Sequence, residues 1–477
     1  MIRSYLRIAL LASASGVLAL AQSGGEIRFC LRGDPKTFDP LQVEDDNAET
    51  IRYITGGVLL RVNRQTRELI PELAESWKVD RKGRRITFHL RHGLSFSDGT
   101  PFSAEDVAYT FRLMDPEMHS ATAESFRSDN LPSKITVSGV DTVSLTFHAP
   151  VANLERLFDR VVILSRNSSR MPPAVLGPFY VADYKPGVEV LLARNPHYWK
   201  VDTAGRPLPY LDRIRLQIQP NYDMELGRFR HGEVDLINSL DPQSFDQLAR
   251  QAPGSVSDAG ASLESEVIWF NQVPSAPLPD YKRAWFASQD FRHAISDIIH
   301  REELCKQVYN GHAQPAMGLV PPGNLASAQR HLEHDGFVRV GGTLYDRDGH
   351  VVEFSLAINA GDTASERMAA MIQHDLLAIG VKLNVVPVDL PALMESLSRS
   401  FPYEACLRGI RPPVLQSNAG RKTSASPSES EIIPLLNKHS LMAFSPQLRN
   451  LAPASLEPQA YWNIDRIEKS TLVAESH

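Results

Sequence analysis

His331 and His334 are the residues of this 477-residue chain whose type and spacing come nearest to chemistry. Three residues apart in Ala328-Gln329-Arg330-His331-Leu332-Glu333-His334, they lie on one face of a predicted helix and present two imidazoles to one side. A zinc-type site needs a third and fourth ligand, and the neighbouring sequence offers no cysteine or histidine at metal-binding spacing. The expectation is therefore a solvated helix face and no bound metal. Asp346 and Asp348 precede Gly349 as in a calcium loop, but the residues after the glycine form a strand and the closing bidentate Glu is out of place. Turn chemistry accounts for them better. Cys30, Cys305 and Cys406 are an odd set, which leaves at least one thiol unpaired in an exported chain, and each reads as a small buried hydrophobe.

Several activities lack their anchors. There is no P-loop, no G-x-G-x-x-G and no G-x-S-x-G, so phosphate cradling and serine hydrolysis are without a framework, and no enzyme and no cofactor are expected. A formal charge of −6, without a long basic run, disfavours nucleic acid as a partner. Arg3 and Arg7 are followed by the apolar run Ile8–Leu20 and by Ala19-Leu20-Ala21, a small-x-small cleavage site. The run is shorter than the roughly 20 residues needed to span a bilayer, so residues 1–21 read as a signal peptide. Cys30 sits within an apparent strand, not directly after the apolar run, and makes a poor lipid anchor; the expected location is the periplasm. The length suits two or three core-bearing units.

The clearest structural signal lies between Pro71 and Met114. Ile86, Phe88 and Leu90 alternate with polar residues, the period of a half-buried strand. Asp80-Arg81-Lys82-Gly83 is a turn joining it to a short strand around Trp77, and Ser97-Asp98-Gly99-Thr100-Pro101 is a second turn. Ser103 and Asp106 form a capping box ahead of the stripe Val107, Phe111 and Met114. Further along, Asp290 is placed to cap a helix through Phe291. An amphipathic helix over 363–380 lies between strands that begin near Val351 and Val381, which argues for an α/β lobe with parallel strands.

The block from Pro71 to Met114 resembles the signature region of the family 5 solute-binding proteins of ABC transporters, the oligopeptide, dipeptide and nickel-binding group. Pro71, Leu73, Ala74, Trp77, Phe88, Leu90, Arg91, Gly93, Phe96, Asp98, Gly99, Pro101, Ala104, Asp106 and Val107 carry the match. Gly177-Pro178, Lys185-Pro186-Gly187, Asn195-Pro196, Tyr198-Trp199, Leu208-Pro209-Tyr210-Leu211-Asp212 and Gly232-Glu233-Val234-Asp235 extend it. The resemblance covers most of residues 25–410 and returns from Leu441 to Ile467. Leu176 and His300 depart from the family pattern; the second costs the cap between two helices. The chain looks short after Gly323 and between Lys438 and Leu441, where the family has a long helix.

The resemblance implies an α/β, two-lobed type II periplasmic-binding-protein fold with an extra subdomain inserted in the first lobe. The expected division is lobe I at 22–44, 177–268 and 440–477, the inserted subdomain at 45–176, and a shortened lobe II at 269–439. It implies a monomer that captures a peptide or similar small solute and delivers it to ABC permease subunits. The alternatives are a non-transporting paralogue that binds a protein partner, or a member that takes a nickel chelate or an oligosaccharide. Cleft residues carried over by position are Asn271, Arg408, Gly409, Ile410 and Arg411. The family's amine-binding Asp falls near Pro413, so Arg408 and Arg411 bring positive charge instead, suited to an anionic group.

Overall fold

A computed structural model describes residues 24–114, 131–151, 153–168, 170–316, 324–395, 397, 402–410 and 432–470. The signal-peptide reading, Gly323, Arg411 and Pro413 lie outside the described residues.

Two long strands organise the molecule. Val256–Phe270 and Ile432–Phe444 run antiparallel through the middle of an eleven-stranded sheet. On one side the sheet continues through Ala405–Ile410, Glu353–Asn359 and Lys382–Val388. On the other it continues through Leu236–Ile237, Glu26–Leu31, Arg213–Ile218, Glu189–Arg194 and Phe179–Lys185. Each half has its own core. Phe270, Phe286, Phe291, Phe354, Met368 and Leu435 belong to one, lobe II, and Ile27, Phe29, Ile214, Leu216, Leu236 and Met442 to the other, lobe I.

The expected strand-helix-strand unit is present in lobe II. Glu353–Asn359 and Lys382–Val388 pair in parallel, and helix Thr363–Leu377 crosses between them with Met368, Ala369, Ile372 and Leu376 buried. The break between helices Gln289–Ile298 and Arg301–Tyr309 survives the loss of the usual Asp at 300. A carboxylate from elsewhere fixes the junction residue without capping the second helix: His300 N–H donates to Asp375 Oδ2 at 3.0 Å, and its ring Nδ1 lies 2.9 Å from Asp375 Oδ1. Asp290 is not the cap of Gln289–Ile298; Ser288 is, its Oγ accepting from Phe291 N–H. Between Lys438 and Leu441 strand Ile432–Phe444 runs straight through, so the place where the chain looks short is continuous β-structure.

A separate antiparallel sheet has the order Ala74–Val79, Arg85–Leu90, Thr142–Thr146, Lys134–Ser138. Trp77 faces Phe88, and Asp80 Oδ1 accepts from the N–H groups of Arg84 and Arg85 in the turn. Helix Ala104–Leu113 closes over this sheet. Asp106 is fully buried; Ser103 N–H and Oγ–H donate to its Oδ2, and Arg166 N–H donates to its Oδ1. Helix Asp46–Thr55, inside the expected insert, instead packs Ile51, Tyr53 and Ile54 into the lobe I core.

The chain leaves lobe I and returns to it at one spot. Gly177 N–H donates to Thr55 O at 3.1 Å, and Ile163 N–H to Gly57 O at 2.9 Å. A Cβ on Gly177 would lie 2.2 Å from Thr55 O and one on Gly57 2.4 Å from Leu176 Cβ, so only hydrogen fits at either position. Gly177→Ala should therefore lower stability by about 1–3 kcal/mol in urea unfolding. Gly227→Ala, in a helix with open space around it, should be neutral or stabilising by up to about 1 kcal/mol.

Candidate functional site

Between the two cores the crossing strands form a polar neck. Val256–Phe270 is only partly buried as far as Ser265 and fully buried from Glu266 onward; Asn437, Lys438 and His439 are partly exposed on the facing strand. The pairing slips three times, between Asp258 and Ala261, between Ala261 and Ser265, and between Glu266 and Val267, where Pro434 faces Val267. Proline cannot donate to a ladder, and bulges twist and bend a strand. The slips thus gather where the chain passes from one core to the other.

The neck carries paired charge. Lys438 Nζ lies 2.6 Å from Glu266 Oε1 and 3.1 Å from Glu264 Oε1, so two carboxylates share one ammonium. Burial opposes the charge on Lys438, and the attraction of Glu266 and Glu264 outweighs it, holding the amine above its usual range. The Glu264 and Lys438 side chains keep 30% exposure, whereas Glu266 keeps 5%. Ser265 Oγ–H donates to Asn437 Oδ1 alongside.

The residues expected at the site divide between the two faces of the sheet. Gly409 pairs with Glu266, and a Cβ there would lie 3.4 Å from Glu266 Oε1 and 3.5 Å from Glu264 Oε1. Arg408 pairs with Val267, and its guanidinium sits 5.7 Å from the Trp269 ring centre. Alternation places Ile410, partly exposed, on the Arg408 side. Asn271 is fully buried: its Nδ2 donates to Tyr403 O at 2.7 Å and its Oδ1 accepts from Val273 N–H. It staples the end of the crossing strand to the segment ahead of Ala405–Ile410. Sequence reasoning missed Glu264, Glu266 and Lys438, whose only signal was charge on otherwise strand-like segments.

A pocket at the insert, lined by Tyr53, Arg61, Glu72, Tyr198, Lys200 and Asp465 among others, is a weaker candidate. Its charges answer one another: Lys200 Nζ to Glu72 Oε1 at 2.6 Å, Tyr198 O–H to Asp465 Oδ2 at 3.0 Å, and Arg61 over the Tyr53 ring at 4.4 Å. These contacts tie the insert to lobe I.

The family described as bacterial extracellular solute-binding proteins, family 5, middle region, matches residues 68–431. The chain belongs to this family. A probable ABC transporter-binding protein of Deinococcus radiodurans is 27% identical over 417 residues, covering 76% of this chain and 68% of that protein. The oligopeptide-binding protein AppA of Bacillus subtilis, solved with a nonapeptide, superposes with a TM-score of 0.68 over 94% of this chain and all of that one, at 19% identity. NikA of Brucella suis, solved with Fe(III)-EDTA, gives 0.73 over 93% of this chain and all of that one, at 17% identity. The fold of this solute-binding protein is thus the two-lobed periplasmic-binding-protein fold.

In this family member the neck is also spanned by side chains. Asp246 on lobe I helix Pro242–Gln251 accepts from Asn310 Nδ2 at 2.9 Å and faces His312 Nε2 at 3.1 Å. Asp258 Oδ2 lies 2.9 Å from both His312 Nδ1 and His439 Nδ1. Asn310 and His312 follow lobe II helix Arg301–Tyr309. Both ring nitrogens of His312 face carboxylate oxygens, which requires both to donate and so selects the imidazolium. Burial works against that charge, but Asp258 and Asp246 outweigh it and raise the pKa.

A raised histidine pKa contributes stability that is complete below the unfolded value of about 6.5 and is lost as pH climbs through the native value. His312→Asn should cost about 1.5–3 kcal/mol at pH 6. The gap to the parent protein should shrink by pH 9 in thermal unfolding; an equal gap at both pH values would remove the imidazolium from the account.

Proposed function

We propose that this protein captures a small solute with a free ammonium group, of the short-peptide kind, in the cleft over the neck and passes it to the membrane subunits of an ABC importer. It works as a periplasmic monomer exported by residues 1–21. Lobe II spans about 269–439, and the insert lies between the Thr55–Gly57 and Leu176–Gly177 contacts. The observation that carries the reading is the partly exposed Glu264–Lys438 pair with Glu266 behind it, on a neck between two independently packed cores.

The Glu264–Glu266–Lys438 group holds two negative charges and one positive, leaving a net negative charge to receive a ligand ammonium. Arg408, held over Trp269 on the other face of the sheet, stands outside this cleft and makes no ligand contact in this reading. Gly409 leaves room beside the carboxylates, because any side chain there would touch Glu266 and Glu264. Asn271 positions the strand and makes no ligand contact in this reading; Ile410 ends the described part of its partner strand. Hinge motion about the neck then encloses the solute. The ligands seen in the two solved relatives, a nonapeptide in AppA and Fe(III)-EDTA in NikA, fit a cleft of adaptable content.

Purified protein should be stabilised by tri- and tetrapeptide pools, by about 2.7 kcal/mol at a hundredfold excess over Kd. Blocking the peptide amine by acetylation, or Glu264→Gln, should weaken binding roughly tenfold, the scale of one charge-assisted hydrogen bond. Stabilisation by nickel chelates or oligosaccharides with none by peptides would replace the peptide reading. Co-purification with a protein partner and no small-solute response would replace transport itself.

A further inference from the structure

Helices Gln289–Ile298 and Leu325–His334 pack side by side in lobe II, outside the neck. The first carries Asp290, His293 and Asp297 at positions i, i+3 and i+7, one face of a helix. The second carries His331 and His334 at i and i+3. The structure turns these faces toward each other. His331 Nδ1 lies 2.6 Å from Asp290 Oδ1, and His334 Nδ1 lies 2.7 Å from Asp290 Oδ2. Asp290, His293 and His331 each bring a ligand atom within 4.8 Å of the others. The third ligand missing from the sequence around His331 thus comes from a helix some forty residues earlier.

Two further observations point to a cation. Asp297 is 4% exposed, and its Oδ2 is buried without a hydrogen-bond partner. That oxygen faces His331 Nε2 at 3.8 Å. An unbonded carboxylate oxygen inside a protein has lost its solvation without compensation. The nearby Arg301 guanidinium is committed to Pro434 O, Ser296 O and Ser296 Oγ. The ring nitrogens of His293 make no hydrogen bond among the described residues; the ring meets His331 edge-on, with centres 5.2 Å apart. Two imidazoles and the Asp290 carboxylate therefore converge, and Asp297 stands at the far ring nitrogen of His331.

We propose that Asp290, His293 and His331 form a binding site for a divalent transition-metal ion of the zinc class, with Asp297 as the outer carboxylate that accepts from the far ring N–H of His331. Two nitrogen donors and one oxygen donor suit Zn²⁺ with its fourth position left to water, with bonds of about 2.0–2.2 Å that small side-chain rotations would bring within reach. His334, 80% exposed, holds the second oxygen of Asp290 and orients it without being a ligand. The other histidine cluster, Asp258–His312–His439, has both His312 nitrogens already answered by carboxylates, and it belongs to the neck.

The test is calorimetric titration of EDTA-stripped protein with ZnCl₂ at neutral pH. One equivalent should bind, and zinc should raise the thermal midpoint. His293→Gln and Asp297→Asn should each weaken binding roughly tenfold or more, His334→Gln less, and His312→Gln not at all. His293→Gln should keep the metal-free circular dichroism spectrum and thermal midpoint of the parent, which separates lost ligation from lost folding. No uptake at tens of micromolar zinc, parental affinity in His293→Gln, or loss of binding in His312→Gln would each overturn the assignment.

Discussion

The pairing of Val256–Phe270 with Ile432–Phe444 is the constraint on which the rest of the structure depends. Each strand contributes to both cores: Ile268 and Phe270 pack with Leu435 and Leu436 in lobe II, while Met442 belongs to lobe I. The ladder has to be apolar at both ends and can be polar only between them, and the bulges and Pro434 fall in or beside that stretch. Two rigid bodies joined by a twisted, partly hydrated ribbon can change their relative angle without disturbing either interior.

Charge is confined by the same logic. Buried ion pairs stabilise little in themselves, but losing one partner is costly. At the insert seam and at the neck, the charges are cross-connected. Asp159 accepts from Val62 N–H and Arg64, Glu72 meets Lys200, and Glu266 meets Lys438. The seam is closed on itself, whereas the neck keeps Glu264 and Lys438 partly in water. That difference in hydration, more than the number of charges, distinguishes the two.

Local signals in the sequence translated well. The hairpin, turn and capped helix between Trp77 and Leu113 were legible because alternation, turn residues and a capping box all act within a few positions. The parallel unit around Thr363–Leu377 was legible for the same reason. Long-range substitutions were not. Asp375, on another helix, holds His300 in place although no side chain caps the helix that follows, and Asp290 turns from an expected cap into the partner of two histidines. Helix Asp46–Thr55 joins the lobe I core through a face whose partner lies far along the chain. At the candidate site, the sequence pointed to Arg408, Gly409 and Ile410 as one segment, but strand alternation sends them to opposite faces. Glu264, Glu266 and Lys438 gave no periodic signal, since a half-hydrated ladder needs none.

The touching backbones at Gly57 and Gly177 give the extra sheet the character of a cassette. A segment whose two ends are held together adds its length as a closed loop, and the entropy of closing a loop grows only slowly with size. Residues can therefore be gained or lost beyond that clasp at little cost to the rest of the molecule. The freedom to vary lies in the cassette, and the geometry that must be kept lies at two glycines.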